Sequence, residues 1–278
     1  MHVSLDSALG RQRRLNSVGE SVLQIAPSAT AAYSLRSLTG GDPLAVRVRR
    51  DTSGGAGDGD EQDFTTSAIF SGALVSFVGS GNDGRVQTWY DQSGNGRHAV
   101  QSSAGAQPKI VNSGSLVSNG LTFDGTNDQL NMPSSIISNI NSVSAFLVCI
   151  GKSGFNYATA LSISNGSGIK LAMADDQFGS FVNKYGNSST SLGTPDDAKH
   201  LYSLVVGDSN AESFKDSISK GTIATASGYG ASAFIGTDAS SGTRWNGEIE
   251  EIIIYDSDQG SNRVALETNI QTAYPTLP

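Results

Sequence analysis

The chain has 278 residues, a formal net charge of −8 and only 16% charged residues, a balance that excludes nucleic acid or an anionic membrane surface as its main partner. Its 33 glycines and 37% apolar content suit short strands, frequent turns and a buried core, and exclude a disordered or low-complexity body. Cys149 is the single cysteine, so no internal disulfide staples the chain, as expected of a protein made in a reducing cytoplasm.

Residues 1–27 scatter Val3, Leu5, Leu9, Leu15, Val18, Val22, Leu23 and Ile25 among three arginines, and Gly10, Gly19 and Pro27 break any long helix. No continuous apolar stretch follows the arginines, so the start does not read as a secretory signal, and no run reaches the ~20 residues of a membrane span. The segment reads as an extended anchoring arm: Leu5, Leu9 and Val22 to fill apolar grooves of a larger assembly, and Arg11, Arg13 and Arg14 to meet acidic groups there. Residues 28–278 read as one domain. LAVRVRR at 44–50 alternates as a half-buried strand does. Residues 65–78 read as a short helix or turn-rich link and 85–90 as a strand. SAFLVCI at 144–150 reads as a buried strand, and strands follow at 201–206, 233–235 and 248–255. Glu248, Glu250 and Glu251 alternate with Ile249 and Ile252, which predicts an outward-facing polar edge. One amphipathic helix closes the chain at 261–274, with Leu266, Ile270, Ala273 and Tyr274 on one face. Many strands and one terminal helix predict an all-β sandwich.

Several chemical motifs drop out. Gly79, Gly81 and Gly84 spell GxGxxG, but the strand-like RVQTWY follows where a dinucleotide site needs a helix. His2, His98 and His200 lack zinc-ligand spacing, and no GxSxG is present. The sequons at Asn165 and Asn187 read as turns. DTSGGAGDGD at 51–60 offers a weak calcium candidate in Asp58, Asp60 and Asp63, but the spacing lacks the rest of an EF-hand and a solvated acidic loop is the preferred reading. No other cofactor is expected.

The informative stretch is TWYDQSGNGRHAV at 88–100, preceded by AAYSLRSL at 31–38 and VRVRRD at 46–51 and followed by QPKIV at 107–111. This ordered set resembles the catalytic domain of the fungal α-L-arabinofuranosidase B family. LTFDGTNDQL at 121–130 and WNGEIEEIIIYD at 245–256, with the terminal helix, resemble the laminin-G-like, concanavalin A-like superfamily. The resemblance spans residues 31–274 and implies a two-sheet antiparallel jelly roll.

It also implies site residues. The family's acid/base aspartate lies in a Gly-Gly-Asp turn, which Gly236-Thr237-Asp238 matches with one glycine replaced. Its nucleophile is a glutamate in a stretch reading Asp-Met-Glu-Asn. The corresponding LAMADDQF at 171–178 has no glutamate and offers only Asp175 and Asp176, which on a strand point to opposite faces. The family's vicinal cysteine pair is absent too. A retaining glycosidase needs two carboxyls about 5 Å apart, so an enzyme built here would rest on Asp238 and Asp175. The glycan-contact candidates are Trp89, Tyr90, Asp91, Asn95 and Asp238. The competing reading makes 90–97 a tight turn in which Asp91 and Asn95 satisfy backbone groups while Trp89 and Tyr90 pack in the core.

An arm joined to a sandwich short of two site elements looks like a structural protein of a tailed-bacteriophage virion, a capsid decoration or tail fibre. Its expected partners are other virion proteins, sister copies in a homotrimer or on a shell, and host-surface glycans. The alternatives are an arabinofuranosidase-like hydrolase and a free bacterial lectin module.

Overall fold

The computed structural model describes residues 19–52, 59–134, 136–138, 142–153, 158–164, 167–174, 177–184, 189–194, 196–207, 209–224, 232–239 and 242–277. Three short helices, α1 (Val22–Ile25), α2 (Thr66–Phe70) and α3 (Ala73–Val78), lie in the N-terminal part, and α4 (Arg263–Ala273) closes the chain. The first strands are β1 (Ala31–Ser34), β2 (Leu44–Asp51), β3 (Glu61–Thr65), β4 (Asp83–Trp89) and β5 (Ala99–Val100). Next come β6 (Lys109–Asn112), β7 (Ser115–Leu116), β8 (Leu121–Asp124), β9 (Leu130–Met132) and β10 (Val143–Gly151). β11 (Ala158–Ser164), β12 (Ser167–Ala174), β13 (Gln177–Lys184) and β14 (Ser189–Gly193) form a meander. β15 (Lys199–Val206), β16 (Asn210–Lys215), β17 (Ile218–Ala224), β18 (Ala233–Ile235) and β19 (Asn246–Tyr255) complete the set.

The strand pairs are antiparallel and build two layers. The first runs β17–β16–β15–β10–β19, with β1 and β8 sharing the far side of β19. The second runs β14–β13–β12–β11–β18–β9–β5. β4 joins them at one end: its start pairs with β6, its end with β5, and its other side with β2. The structure is the all-β antiparallel sandwich with a C-terminal helix that the sequence predicts. The 65–78 link resolves into α2 and α3, separated by Gly72 at φ +89°, a conformation that favours glycine.

Between the layers lies a core containing Tyr33, Trp89, Phe123, Leu147, Leu204, Trp245 and Ile252. A second core fills the space between the outer face of the first layer and α4: Phe146, Val148, Leu201, Ile253 and Tyr255 meet Leu266, Ile270 and Tyr274. β10 and β19 are thus covered on both faces, which is why β10 and the Ile252–Tyr255 half of β19 read as continuous apolar runs rather than alternating. Each of Leu266 and Ile270, fully buried, contributes roughly 1.5–3 kcal/mol by leaving water.

Two expectations are corrected here. Val22, read as an assembly contact, is fully buried in the second core. Around it Gln24 Oε1 accepts from the Ser21 N–H at 2.8 Å, Leu23 N donates to Leu38 O at 3.0 Å, and Asn269 Nδ2 donates to Glu20 O at 2.6 Å. Residues 20–26 therefore belong to the sandwich; Leu5, Leu9, Arg11, Arg13 and Arg14 lie outside the described residues. Second, Glu250 and Glu251 are each 1% exposed and do not form an outward edge. The register shifts between Val148 and Cys149, which face Glu251 and Ile249 and leave Glu250 as the extra residue of a bulge. Glu251 takes two hydrogen bonds from Arg36, at 2.6 and 2.8 Å, and one from the Tyr274 hydroxyl at 3.1 Å. Glu250 pairs with Lys199 at 2.9 Å, and burial pushes its carboxyl pKa up.

Candidate functional site

The 89–97 segment leaves β4 and turns back toward β5 through Gly94 and Gly96, at φ +89° and +67°. Its polar atoms point at the chain itself. Asp91 Oδ1 accepts from the N–H groups of Ala32 and Ser93, at 2.9 and 2.8 Å, and Oδ2 accepts from Ser93 Oγ and the Arg97 N–H, at 2.8 and 3.0 Å. Gln92 accepts from Leu38 N at 2.8 Å and donates to the carbonyls of Ser34 and Arg36, at 2.9 and 3.0 Å. Asn95 Nδ2 donates to the carbonyls of Ala29 and Thr30, at 2.9 and 3.1 Å. The segment is a clasp that binds residues 29–38 to the end of β4.

The aromatic candidates are equally committed. Trp89 is fully buried, 5.8 Å from the Tyr33 ring, so it offers no face to a ligand; this corrects its assignment to a glycan surface. Tyr90 donates to Asp63 at 2.7 Å and packs edge-on against His98; burial, then Asp63, pushes its pKa up to about 12. Asp63 also receives Arg47, at 2.7 and 2.8 Å, and this pair holds its carboxyl below the usual range. Asp60 pairs with Arg50 at 2.6 Å. Of the calcium candidates Asp58 lies outside the described residues, and Asp60 and Asp63 are paired with Arg50 and Arg47. No group of three His, Cys, Asp or Glu placed to hold a metal occurs among the described residues.

Asp238 occupies a different corner, where the β18–β19 connection meets β11, β12 and the 124–130 turn. Gly236 starts the connection at φ +81°, and a Cβ there would lie 2.5 Å from the Phe123 ring. Gly236 N donates to Ala160 O and Trp245 N to Gly236 O, both at 2.9 Å, which fixes the turn against β11. Ser162 of β11 lies opposite both Lys170 of β12 and Phe234 of β18, so these three share one face of the second layer. From that row Lys170 Nζ reaches Asp238 Oδ2 at 2.7 Å, with the aspartate side chain 6% exposed and the lysine 32%. Ser162 Oγ is buried without a hydrogen-bond partner among the described residues. Thr159 and Thr243 share a hydrogen bond at 2.8 Å, and Arg244 donates to Gln129.

Asp128, in the same corner, is a carboxylate that sequence reasoning passed over. It is 2% exposed. Its Oδ2 accepts from Asp124 N at 3.1 Å, while Oδ1 has no partner among the described residues. Burial, helped by the charge of Asp124, pushes its pKa up to about 7. Lys170 was missed as well. The Asp-Gly-Thr-Asn-Asp spacing was a visible signal for Asp128; nothing local marks Lys170, because its meeting with Asp238 depends on the register of three strands. Asp175 lies outside the described residues.

Chemically, the corner presents an ammonium and a carboxylate already joined, next to hydroxyl and amide groups. Such an array donates to and accepts from ligand hydroxyls. Lys170 Nζ sits on Asp238 Oδ2, so that oxygen is already engaged as an acceptor.

No family model matches the chain, and no curated protein sequence matches it. Among solved structures it is similar to a GH54 α-L-arabinofuranosidase variant soaked with 4-nitrophenyl α-L-arabinofuranoside, at TM-score 0.69 and 12% identity over 91% of this chain. It is also similar to an arabinofuranosidase complexed with arabinofuranosyl-α-1,2-xylobiose, at TM-score 0.66 and 13% identity over 91% of this chain. The chain spans 65% and 64% of those two proteins. At this identity the likeness establishes the fold, an arabinofuranosidase-type jelly-roll sandwich.

Proposed function

We propose that this protein is a structural component of a bacteriophage virion, a capsid decoration or tail fibre, whose sandwich binds glycans without hydrolysing them. The observation that carries the non-hydrolytic part is the 2.7 Å ion pair between Lys170 and Asp238, at the position where the resemblance puts an acid/base. The glycan-binding part is supported by the arabinofuranosidase-type fold and by the donor–acceptor array of the same corner. The virion part rests on sequence: an arm with Leu5, Leu9, Arg11, Arg13 and Arg14 precedes an acidic sandwich.

The binding claim is tested on an array of arabinose-, galactose- and glucose-containing glycans. Retention by the wild type that is lost in Lys170→Ala and Asp238→Ala supports it. No retention of any glycan, or retention indifferent to both changes, refutes it. For the anchoring claim the informative truncation removes residues 1–18 only, since Val22 belongs to the sandwich core. Incorporation of the truncated chain into particles at the wild-type level would refute the arm as an anchor.

A further inference from the structure

On the opposite layer, away from Asp238, a cavity of about 390 Å³ opens between β15–β17 and the turn into α4, a size at the lower end of small-ligand sites. Val205 and the nearly buried Phe214 supply its apolar lining. Its walls carry Glu212, Ser217, Ser219 and Arg263. The register explains this convergence: Glu212 lies directly across from Val205, and Ser219 across from Phe214, so all four occupy the same face.

The polar groups are held in place before any ligand arrives. The Arg263 guanidinium lies 3.9 Å above the Phe214 ring and pairs with Glu267 through Nη1, while Nε and Nη2 have no partner among the described residues. Ser219 Oγ donates to Glu212 Oε1 at 2.6 Å, and Oε2 has no partner among the described residues. A guanidinium locked between a ring and a carboxylate loses little freedom on binding, which favours affinity.

Charge selects the class of ligand. Glu212 and Glu267 set two carboxylates against one guanidinium, so phosphate, sulfate and carboxylated sugars meet net repulsion. Metal ions lack the necessary cluster of ligands among the described residues. What fits is a neutral molecule that carries donors and acceptors side by side and also has apolar C–H faces. We infer that this groove is a binding site for neutral saccharides, separate from the Asp238 corner and able to act whether or not that corner binds.

The test is an amide NMR titration of the full chain with arabinose, galactose, glucose and maltose at millimolar concentration, with galacturonate and inorganic phosphate as controls. The expected result is saturable shifts at Val205, Phe214, Ser219 and Arg263 with at least one neutral sugar and none with the two anions. Ser219→Trp, which fills the groove from an exposed position, abolishes these shifts, Glu212→Gln weakens binding about tenfold, and Asp238→Asn leaves them intact. If Ser219→Trp fails to fold, Glu212→Gln decides. Absence of shifts with every neutral sugar, saturation by the anions instead, or shifts unchanged in the groove variants would overturn the inference. Loss in Asp238→Asn alone would assign the binding to the other corner.

Discussion

Replacing Asp91 by alanine removes the acceptor of four hydrogen bonds at once. The donors are Ala32 N, Ser93 N, Ser93 Oγ and Arg97 N. Ala32 N is buried, and a buried donor left unsatisfied costs roughly 1–3 kcal/mol. The other three are partly buried and recover some hydration, adding about 0.5–1 kcal/mol each on the scale of net hydrogen bonds. The expected destabilisation is therefore ~3–5 kcal/mol, with the clasp between residues 29–38 and β4 as the part that loosens. For a chain of this size about 2 °C accompanies each kcal/mol, so thermal unfolding should begin ~6–10 °C lower. Asp91→Asn, which keeps one acceptor, should lose about half as much. Differential scanning calorimetry with parallel glycan binding decides the matter. A variant with unchanged stability and abolished glycan binding would show that the carboxylate serves a ligand and that the clasp reasoning is wrong.

Three further outcomes follow from the buried groups. Glu251→Ala leaves Arg36, 22% exposed, facing an emptied site beneath α4, and should cost ~3 kcal/mol in urea unfolding; a loss below 1 kcal/mol would contradict the buried pairing. Asp128 titrates near 7 when folded and near ~3.9 when unfolded, so the folded state holds the extra proton between these values. Stability should fall as pH rises from 4 to 7, by on the order of 4 kcal/mol from this group, and Asp128→Asn should remove that part of the slope; identical pH profiles for both chains would refute it. Gly236→Ala puts a methyl 2.5 Å from Phe123 at a φ of +81° and should destabilise by ~2–4 kcal/mol, measured by the same unfolding; a neutral effect would mean the corner is looser than its geometry.

The fold was largely legible because β10 and the end of β19 at 252–255 carry continuous apolar runs and α4 an amphipathic stripe. The same rule misled at Glu250 and Glu251. Alternation of charge with isoleucine signals a solvent face only when the strand has one; β19 is covered on both sides, and a bulge turns two successive glutamates toward arginine and lysine partners. The 89–97 motif was recognisable as specific, yet its specificity lies in closing the chain on itself, as Trp89 in the core and the four bonds to Asp91 show. Lys170 beside Asp238 and the groove at Arg263 were not legible, because each is created by cross-strand register between residues far apart in sequence.

Whether the Asp238 corner cleaves glycosides is read from release of 4-nitrophenol from 4-nitrophenyl α-L-arabinofuranoside. Wild-type release is expected at the buffer background from pH 4 to 8, identical to that of Asp238→Asn. Release above background that vanishes in Asp238→Asn, with the variant still folded, would contradict that expectation.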